Sequence, residues 1–406
     1  MLRLNNFNFT TFSLAFLIVG MPIVYVLREY IPISKALFTY GIIGVLLIGL
    51  IDFKNLIKIK LFNNKPKIFI LILILNMFLF LFYAIGYGQL FENIQSIFII
   101  LILFIFIAFS THVNKDFKDL LFYILIISSL TTYISLTLNT NEWMMTSRFY
   151  VGDTKNPNIS SFIALVNILS ITYFLYQQHK TKIIVKFIFL MTGIASLYIY
   201  LMSFSKSAIL GLFFAIIFLF FIERKFILTL LKNLIFISLI IIPILIFIFP
   251  DIIEKIDKSI EMLQYAYYSY LYGQTGSMSA EIRHNNLKEM LNLLPSVELL
   301  SGNGIFTTRA DQPILQIFTD LGIIPGTINF IAMFLIPLLF LFRLLFIIKS
   351  YKMDELYNLY IFSILIFLFY FPNSLFHGTP YEHTQWIPIL MLYKFTPWKK
   401  RVNHVK

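Results

Sequence analysis

The chain has 406 residues, 59% of them hydrophobic, 18% aromatic and only 13% charged, with a formal net charge of +12. Soluble domains carry about a quarter charged residues and must present a large wettable surface, so a soluble enzyme is excluded and a polytopic membrane protein is implied. The excess of positive charge is what basic cytoplasmic loops produce, and it needs no nucleic acid partner.

Runs of about 20 mostly apolar residues predict spanning helices. They fall at 9–27, 34–51, 67–87, 94–111, 119–138, 159–177, 183–203, 206–222, 229–249, 314–347, 356–372 and 382–396. The expectation is an all-α integral membrane protein with about twelve transmembrane helices. The first run has no small-residue cleavage site after it and reads as a retained helix. The tenth is too long for one straight span, and Pro325 and Gly326 inside it predict a kink or a short broken segment. Lys54, Lys58, Lys60, Lys65, Lys180, Lys182, Arg224, Lys225, Lys349 and Lys352 lie in even-numbered connections, with Arg3 before the first span and Lys399, Lys400 and Arg401 after the last. This bias predicts that both termini are cytoplasmic. Two long connections, 139–158 and 250–313, then lie outside. Residues 1–406 read as a single polytopic membrane domain, with 250–313 as a large external loop. Ile253, Ile256, Ile260, Leu263 and Tyr267, and again Leu287, Met290, Leu291 and Leu294, recur at three- and four-residue steps and predict amphipathic surface helices. Pro295 should end the second of them.

The external stretches hold the residues that could carry chemistry. Cysteine is absent, which removes disulfides, thiolate metal sites and cysteine nucleophiles. Arg283 precedes Leu287 by four residues and Met290 by seven, so it shares their helical face and aims toward the membrane. A guanidinium there either reaches lipid headgroups or binds a phosphate or diphosphate. Gly302-Asn303-Gly304 allows a tight turn with close backbone approach. Arg309 and Asp311 follow, and Asp311 is either a general base or half of an interfacial ion pair. Asp320 sits inside an apolar run, where a carboxylate is costly and commonly functional, although it could also cap a re-entrant turn. Arg148 precedes Asn156-Pro157-Asn158, a turn leading into the sixth span with Asn158 as a good N-cap. Lys206 opens the eighth span after Ser203-Phe204-Ser205 and could meet an anion at a helix N-terminus or simply snorkel. His377 and His383 flank Glu382 at a spacing that matches no common metal site, so no metal is expected.

Three of these stretches together resemble the superfamily of bacterial O-antigen polymerases and O-antigen ligases. Arg148, Gly152 and Asn156-Pro157-Asn158 are similar to its Arg-x-x-Gly and Asn-Pro-Asn segment. Ser203 to Gly211, SFSKSAILG, is similar to its Ser-Arg-Gly/Ser-Ala helix start, with Lys206 where arginine is usual. Arg283, Gly302-x-Gly304 and Asp311 through Asp320 to Gly326 resemble its third block. The resemblance implies a multi-pass protein of the bacterial inner membrane whose 250–313 loop is periplasmic. It implies an inverting, metal-independent and cofactor-free glycosyltransferase acting on undecaprenyl-diphosphate-linked oligosaccharide. Arg283, Asp311 and Asp320 would be catalytic, with Asp311 the first choice of base and Asp320 and Glu281 behind it. Arg148, Lys206, Arg309, Asn156, Asn158, Gly302 and Gly304 would bind substrate and diphosphate. A chain-length regulator, a flippase and membrane lipid would be partners. Ligases carry histidine where Asp311 stands, which favours the polymerase. A ligase that transfers glycan to the lipid A core, and a lipid-linked oligosaccharide flippase, are the alternatives.

Overall fold

The computed structural model describes residues 8–50, 65–86, 117–138, 157–177, 183–203, 205–248, 278–304, 312–352 and 356–399, with isolated positions between 100 and 104 and between 254 and 268. Among these residues the protein is all helix and contains no strand. The elements are α1 (Phe9–Val19), α2 (Met21–Tyr30), α3 (Lys35–Leu50), α4 (Lys67–Gly86), α5 (Phe117–Leu138), α6 (Pro157–Gln177), α7 (Ile183–Ser203), α8 (Lys206–Ile222) and α9 (Arg224–Ile248). They continue with α10 (Met278–Leu293), α11 (Pro313–Leu321), α12 (Ile323–Phe330), α13 (Ile336–Ile347), α14 (Tyr357–Phe376) and α15 (His383–Phe395).

Among the described residues three helical segments are long and apolar enough to cross a membrane: Lys186–Ser203, Ile323–Tyr351 and Tyr357–Leu375. Large apolar side chains on the outer surface, among them Phe82, Ile183, Phe236, Phe247 and Phe346, are exposed. Such a surface suits hydrocarbon and not water. The helix at the centre is α14. It is apolar on every side, its residues from Ile361 to Tyr370 are all buried, and it packs against α6, α8, α11 and α15. The approach of α8 is close because Gly211 faces the α14 backbone; a Cβ there would stand 2.6 Å from the Phe369 carbonyl oxygen.

Apolar surface gains little by meeting other apolar surface in lipid, so polar contacts between helices matter more than in water. Ser128 Oγ donates to Asn167 Oδ1 at 2.7 Å, and Asn167 Nδ2 donates to Ser196 Oγ at 2.6 Å, joining α5, α6 and α7. Asn329 Nδ2 donates to Asn76 Oδ1 at 2.8 Å, joining α12 to α4. Bonds of this kind contribute about 0.6 kcal/mol on average.

Two runs read as single spans are interrupted. The 9–27 run divides at Gly20, where a Cβ would overlap the Phe16 ring, and Pro22 begins α2 without needing an amide partner. The break within 314–347 falls at Gly322, just before the expected Pro325 and Gly326, because Gly322 alone adopts φ +95°. Pro325 sits instead in the first turn of α12, where a missing amide costs nothing. A second irregularity follows: Ile331–Leu335 forms a π-helical turn just before Pro337, whose ring clashes with a carbonyl four residues earlier. Pro295 ends α10 as expected and lies in the one-turn 3-10 segment Leu294–Ser296.

Candidate functional site

At the end of α11 the chain meets a problem that backbone chemistry has to solve. The break at Gly322 leaves the last carbonyls of α11 and the first amides of α12 without helical partners, and Thr319, Asp320 and Leu321 are all buried. The segment 298–304 fills both needs. The amides of Asn303 and Gly304 donate to the carbonyls of Thr319 and Asp320 at 2.8 and 3.0 Å. In return, the amides of Ile323 and Ile324 donate to the carbonyls of Glu298 and Leu299 at 3.2 and 2.9 Å. Each bond contributes about 1 kcal/mol net, and leaving any of these buried groups unpaired would cost about 1–3 kcal/mol.

Glycine is required in this clasp for reach. A Cβ on Gly302 would stand 2.4 Å from the Asp320 carbonyl carbon, and one on Gly322 would stand 2.9 Å from the Ser301 amide nitrogen. Gly304 and Gly322 also hold positive φ, 99° and 95°. Tyr83 at the end of α4 donates its hydroxyl to the Leu300 carbonyl and fixes the clasp from the side. Two amides of the Gly-x-Gly turn thus hold the carbonyls of Thr319 and Asp320.

The Asp320 side chain is fully buried, and its Oδ2 accepts from Gln316 Nε2 at 3.1 Å, one helical turn away. Its other neighbour comes from the far end of the chain. Residues 377–382 connect α14 to α15 and fold inward around Gly378, at φ +73°. Trp386 Nε1 donates to the Pro380 carbonyl at 2.9 Å and Gln385 Nε2 to the His377 carbonyl at 3.0 Å. Tyr381 is driven into the core, its ring edge-on to Phe80 at 5.4 Å, with Trp386 edge-on to the same ring at 5.7 Å. The buried Tyr381 hydroxyl is near enough to the Asp320 carboxylate to feel its charge. Burial first, and that carboxylate second, push its pKa well above the ordinary tyrosine value.

A second polar group forms where α6 and α8 begin. Asn158 Oδ1 accepts from Ser205 Oγ at 2.6 Å and from Ser207 Oγ at 3.1 Å. Ser205 caps α8 by accepting from the Ala208 amide at 3.2 Å. Ser161 and Ser203 bond to each other one turn deeper. Lys206 is exposed at the first position of α8. Beside this group a small apolar crevice of about 30 Å³ opens between α1, α2, α6, α14 and α15, lined by residues including Ile18, Ile159, Phe162, Ile366 and Ile387.

The two groups lie at the same end of the bundle and meet through α14 and the loop after it. Phe162 packs edge-on against Tyr370 at 4.8 Å, and the Glu382 carboxylate acts electrostatically on the Tyr370 hydroxyl. Glu382 adjoins Tyr381, which faces Asp320. The structure therefore brings Asn158 to Lys206, and Gly302 and Gly304 to Asp320. Arg283 has its backbone in α10, one turn before Leu287 and two before the buried Met290, and α10 packs on α11. The Arg283 side chain, and all of Arg148, Asn156, Arg309 and Asp311, lie outside the described residues. So do the predicted span 94–111, apart from three positions, and most of 250–277. Among the described residues no three His, Asp or Glu side chains gather in a way that could hold a metal.

Tyr381, Gln316 and Ser205 were not singled out by sequence reasoning. Ser205 had a readable cue in its N-cap position, and Gln316 in its four-residue step to Asp320. Tyr381 had none beyond being an aromatic residue in a short loop. Compared with known protein families and with curated proteins, the chain matches none.

Proposed function

We propose that this protein is an integral membrane glycosyltransferase that polymerises repeat units carried on undecaprenyl diphosphate at the periplasmic face of a bacterial inner membrane. The product would be O-antigen or a capsular glycan. The supporting observation is the junction at Asn158. Two of the three stretches that resemble the polymerases and ligases meet there, since Asn158 accepts from both Ser205 and Ser207. Of the third stretch, the described α11 packs on α14, which α6 and α8 also contact. A transporter does not explain why irregular backbone, amide and hydroxyl chemistry concentrate at one end of the bundle.

In the proposed reaction the hydroxyl oxygen of an incoming lipid-linked repeat unit attacks the anomeric carbon of the growing glycan. The bond from that carbon to the diphosphate breaks, and the configuration inverts. Lipid diphosphate leaves with the bonding electron pair. Arg283, Arg148, Arg309 and Lys206 supply positive charge to it, and no metal or cofactor is called for. Lys206 is well placed for this role, being exposed at a helix N-terminus where the backbone dipole favours an anion. Asp311 takes the proton of the acceptor hydroxyl. Both termini are proposed to be cytoplasmic, with about twelve spans.

The test is a deletion strain read by lipopolysaccharide gel. Loss of a polymerase leaves a single repeat unit on the core, whereas loss of a ligase leaves none and loss of a flippase leaves no repeat unit outside. Reintroduced wild-type chain restores the ladder, and Arg283→Ala does not. A full ladder from Arg283→Ala would remove that residue from the reaction.

A further inference from the structure

The end of the bundle away from Asn158 holds cations that the proposed reaction does not use. There, residues 396–399 follow α15 and lie across α4 and α13 as a strap. Three of their four carbonyls accept from side chains: Lys65 donates to Thr396, Arg343 Nε to Trp398 at 3.3 Å and the Tyr351 hydroxyl to Lys399 at 2.5 Å. The Trp398 ring fixes the strap on its apolar side, edge-on to Phe69 at 5.1 Å and tilted on Phe340 at 5.0 Å.

Arg343 is the unusual member of this group. It is exposed about one turn before the end of α13, and Leu339, Phe342 and Phe346 are exposed around it, at 43%, 63% and 80%. Steps of about 100° per residue put those three apolar side chains in one strip about 60° wide, with Arg343 at its edge. Such a strip faces hydrocarbon, where a guanidinium is costly unless it reaches an anion. Lipid phosphates lie within the reach of a snorkelling arginine. The bond from Nε holds Arg343 on the peptide unit that leads into Lys399, which is also exposed, and its guanidinium carbon stands 5.8 Å from the Trp398 ring centroid. The Nη atoms keep four further N–H donors, and these make no hydrogen bond among the described residues. Two cations therefore stand together at the polar edge of an apolar strip. A zwitterionic headgroup would bring an ammonium against them, whereas a headgroup of net negative charge complements them.

We infer that Arg343, Lys399 and the exposed strip of α13 bind one anionic phospholipid, with its phosphate on the two cations and an acyl chain along Leu339, Phe342 and Phe346. The site lies at the end proposed to be cytoplasmic and stands apart from the transferase reading. A lipid bound there bridges α13 and the strap, so it stabilises the folded chain by mass action.

The experiment melts the full-length chain, purified in a nonionic detergent, in mixed micelles containing increasing phosphatidylglycerol or phosphatidylcholine. Phosphatidylglycerol should raise the melting temperature saturably, and phosphatidylcholine should not. Glycerol phosphate, the headgroup anion without its chains, should give no shift at the same concentrations. Lys399→Gln leaves the strap intact, because Tyr351 bonds the backbone carbonyl of that residue. It should melt like the wild type in phosphatidylcholine and need about fivefold more phosphatidylglycerol for half the shift, the worth of one cation at an anionic surface. Adding Arg343→Gln should raise that requirement to about 25-fold. Lys352→Gln removes a cation from the same end but outside the site, and should leave the half-point unchanged. Equal shifts from the two lipids, or none, would overturn the site. So would an unchanged half-point in Lys399→Gln, or an equal loss in Lys352→Gln, which would mark a general attraction to anionic surfaces. A full shift from glycerol phosphate alone would show a free-anion site and overturn the lipid.

Discussion

At one end of the bundle Gly302, Asn303 and Gly304 press backbone against backbone over Thr319 and Asp320, and Asn158 bridges two serines. At the other end, long cationic side chains reach across helices. Lys65 donates to the Thr396 carbonyl and sits 4.8 Å from the Phe340 ring centroid. Arg343 Nε donates to the Trp398 carbonyl at 3.3 Å, and Lys352 pairs with Glu223 at 3.3 Å. Flexible cationic stems adapt to small displacements and restrain the chain loosely. Backbone contacts made through glycine do not adapt, because a single added methyl group closes the gap. The first arrangement suits an end where atoms must be placed within a fraction of an ångström, as the proposed phosphate and sugar chemistry would demand. The second suits an end that needs only to stay closed.

The contrast predicts very unequal mutational sensitivity. The largest effect belongs to Gly302→Val, which puts a branched side chain where a Cβ alone would meet the Asp320 carbonyl carbon at 2.4 Å. It should abolish polymer on the gel and destabilise the purified protein by about 3–5 kcal/mol, through lost clasp bonds and overpacking; wild-type thermal stability would argue against the clasp. Asn158→Leu removes the acceptor for two serine hydroxyls and should cut polymer yield by about 10–100-fold. Asn158→Asp keeps an acceptor and should restore most of the yield. Equal loss in both variants would show that the serine contacts are not what matters.

Gly211→Ala comes next. Its added Cβ would press on the Phe369 carbonyl at 2.6 Å and force α8 from α14, costing about 1–3 kcal/mol by thermal melting. The smallest effects belong to the other end. The mostly exposed Lys352 forms a surface pair, so Lys352→Ala should shift stability by less than about 1 kcal/mol and leave the ladder intact. Burial, and then Lys394, lower the Lys65 pKa from 10.5 to about 7. Between those values the unfolded chain binds a proton that the folded chain does not, so this residue makes stability rise with pH over that window. Lys65→Met should flatten the rise; an unchanged pH dependence would mean that Lys65 stays protonated when folded.

Much of the architecture was legible from apolar run length. The expected 67–87, 183–203 and 206–222 correspond to Lys67–Gly86, Ile183–Ser203 and Lys206–Ile222. Long apolar stretches have few alternatives to helix in a bilayer, which explains the agreement. The same uniformity hid the break at Gly20, because the sequence is apolar on both sides of it. At Gly322 the cue was ambiguous: two glycines and a proline lie within five residues, and only the required positive φ selects Gly322. The site was legible in part. Asn158 is the second residue of α6 and not its expected N-cap; it meets Ser205 and Ser207 beside Lys206 because α6 and α8 begin at the same end. Gly302-Asn303-Gly304 could be recognised as a turn, but its target, the end of α11, depends on tertiary packing. Tyr381 was invisible for the same reason, since nothing local distinguishes a loop tyrosine that folds under Phe80 from one at the membrane surface.

The most direct test of the proposed activity uses purified chain in lipid vesicles, with undecaprenyl-diphosphate-linked repeat units as the only glycan substrate. Polymerisation predicts a ladder of lipid-linked products with many repeats, one undecaprenyl diphosphate released per bond formed, and no dependence on added metal. Products that never exceed one repeat, or glycan that moves only when lipid A core is supplied, would contradict it.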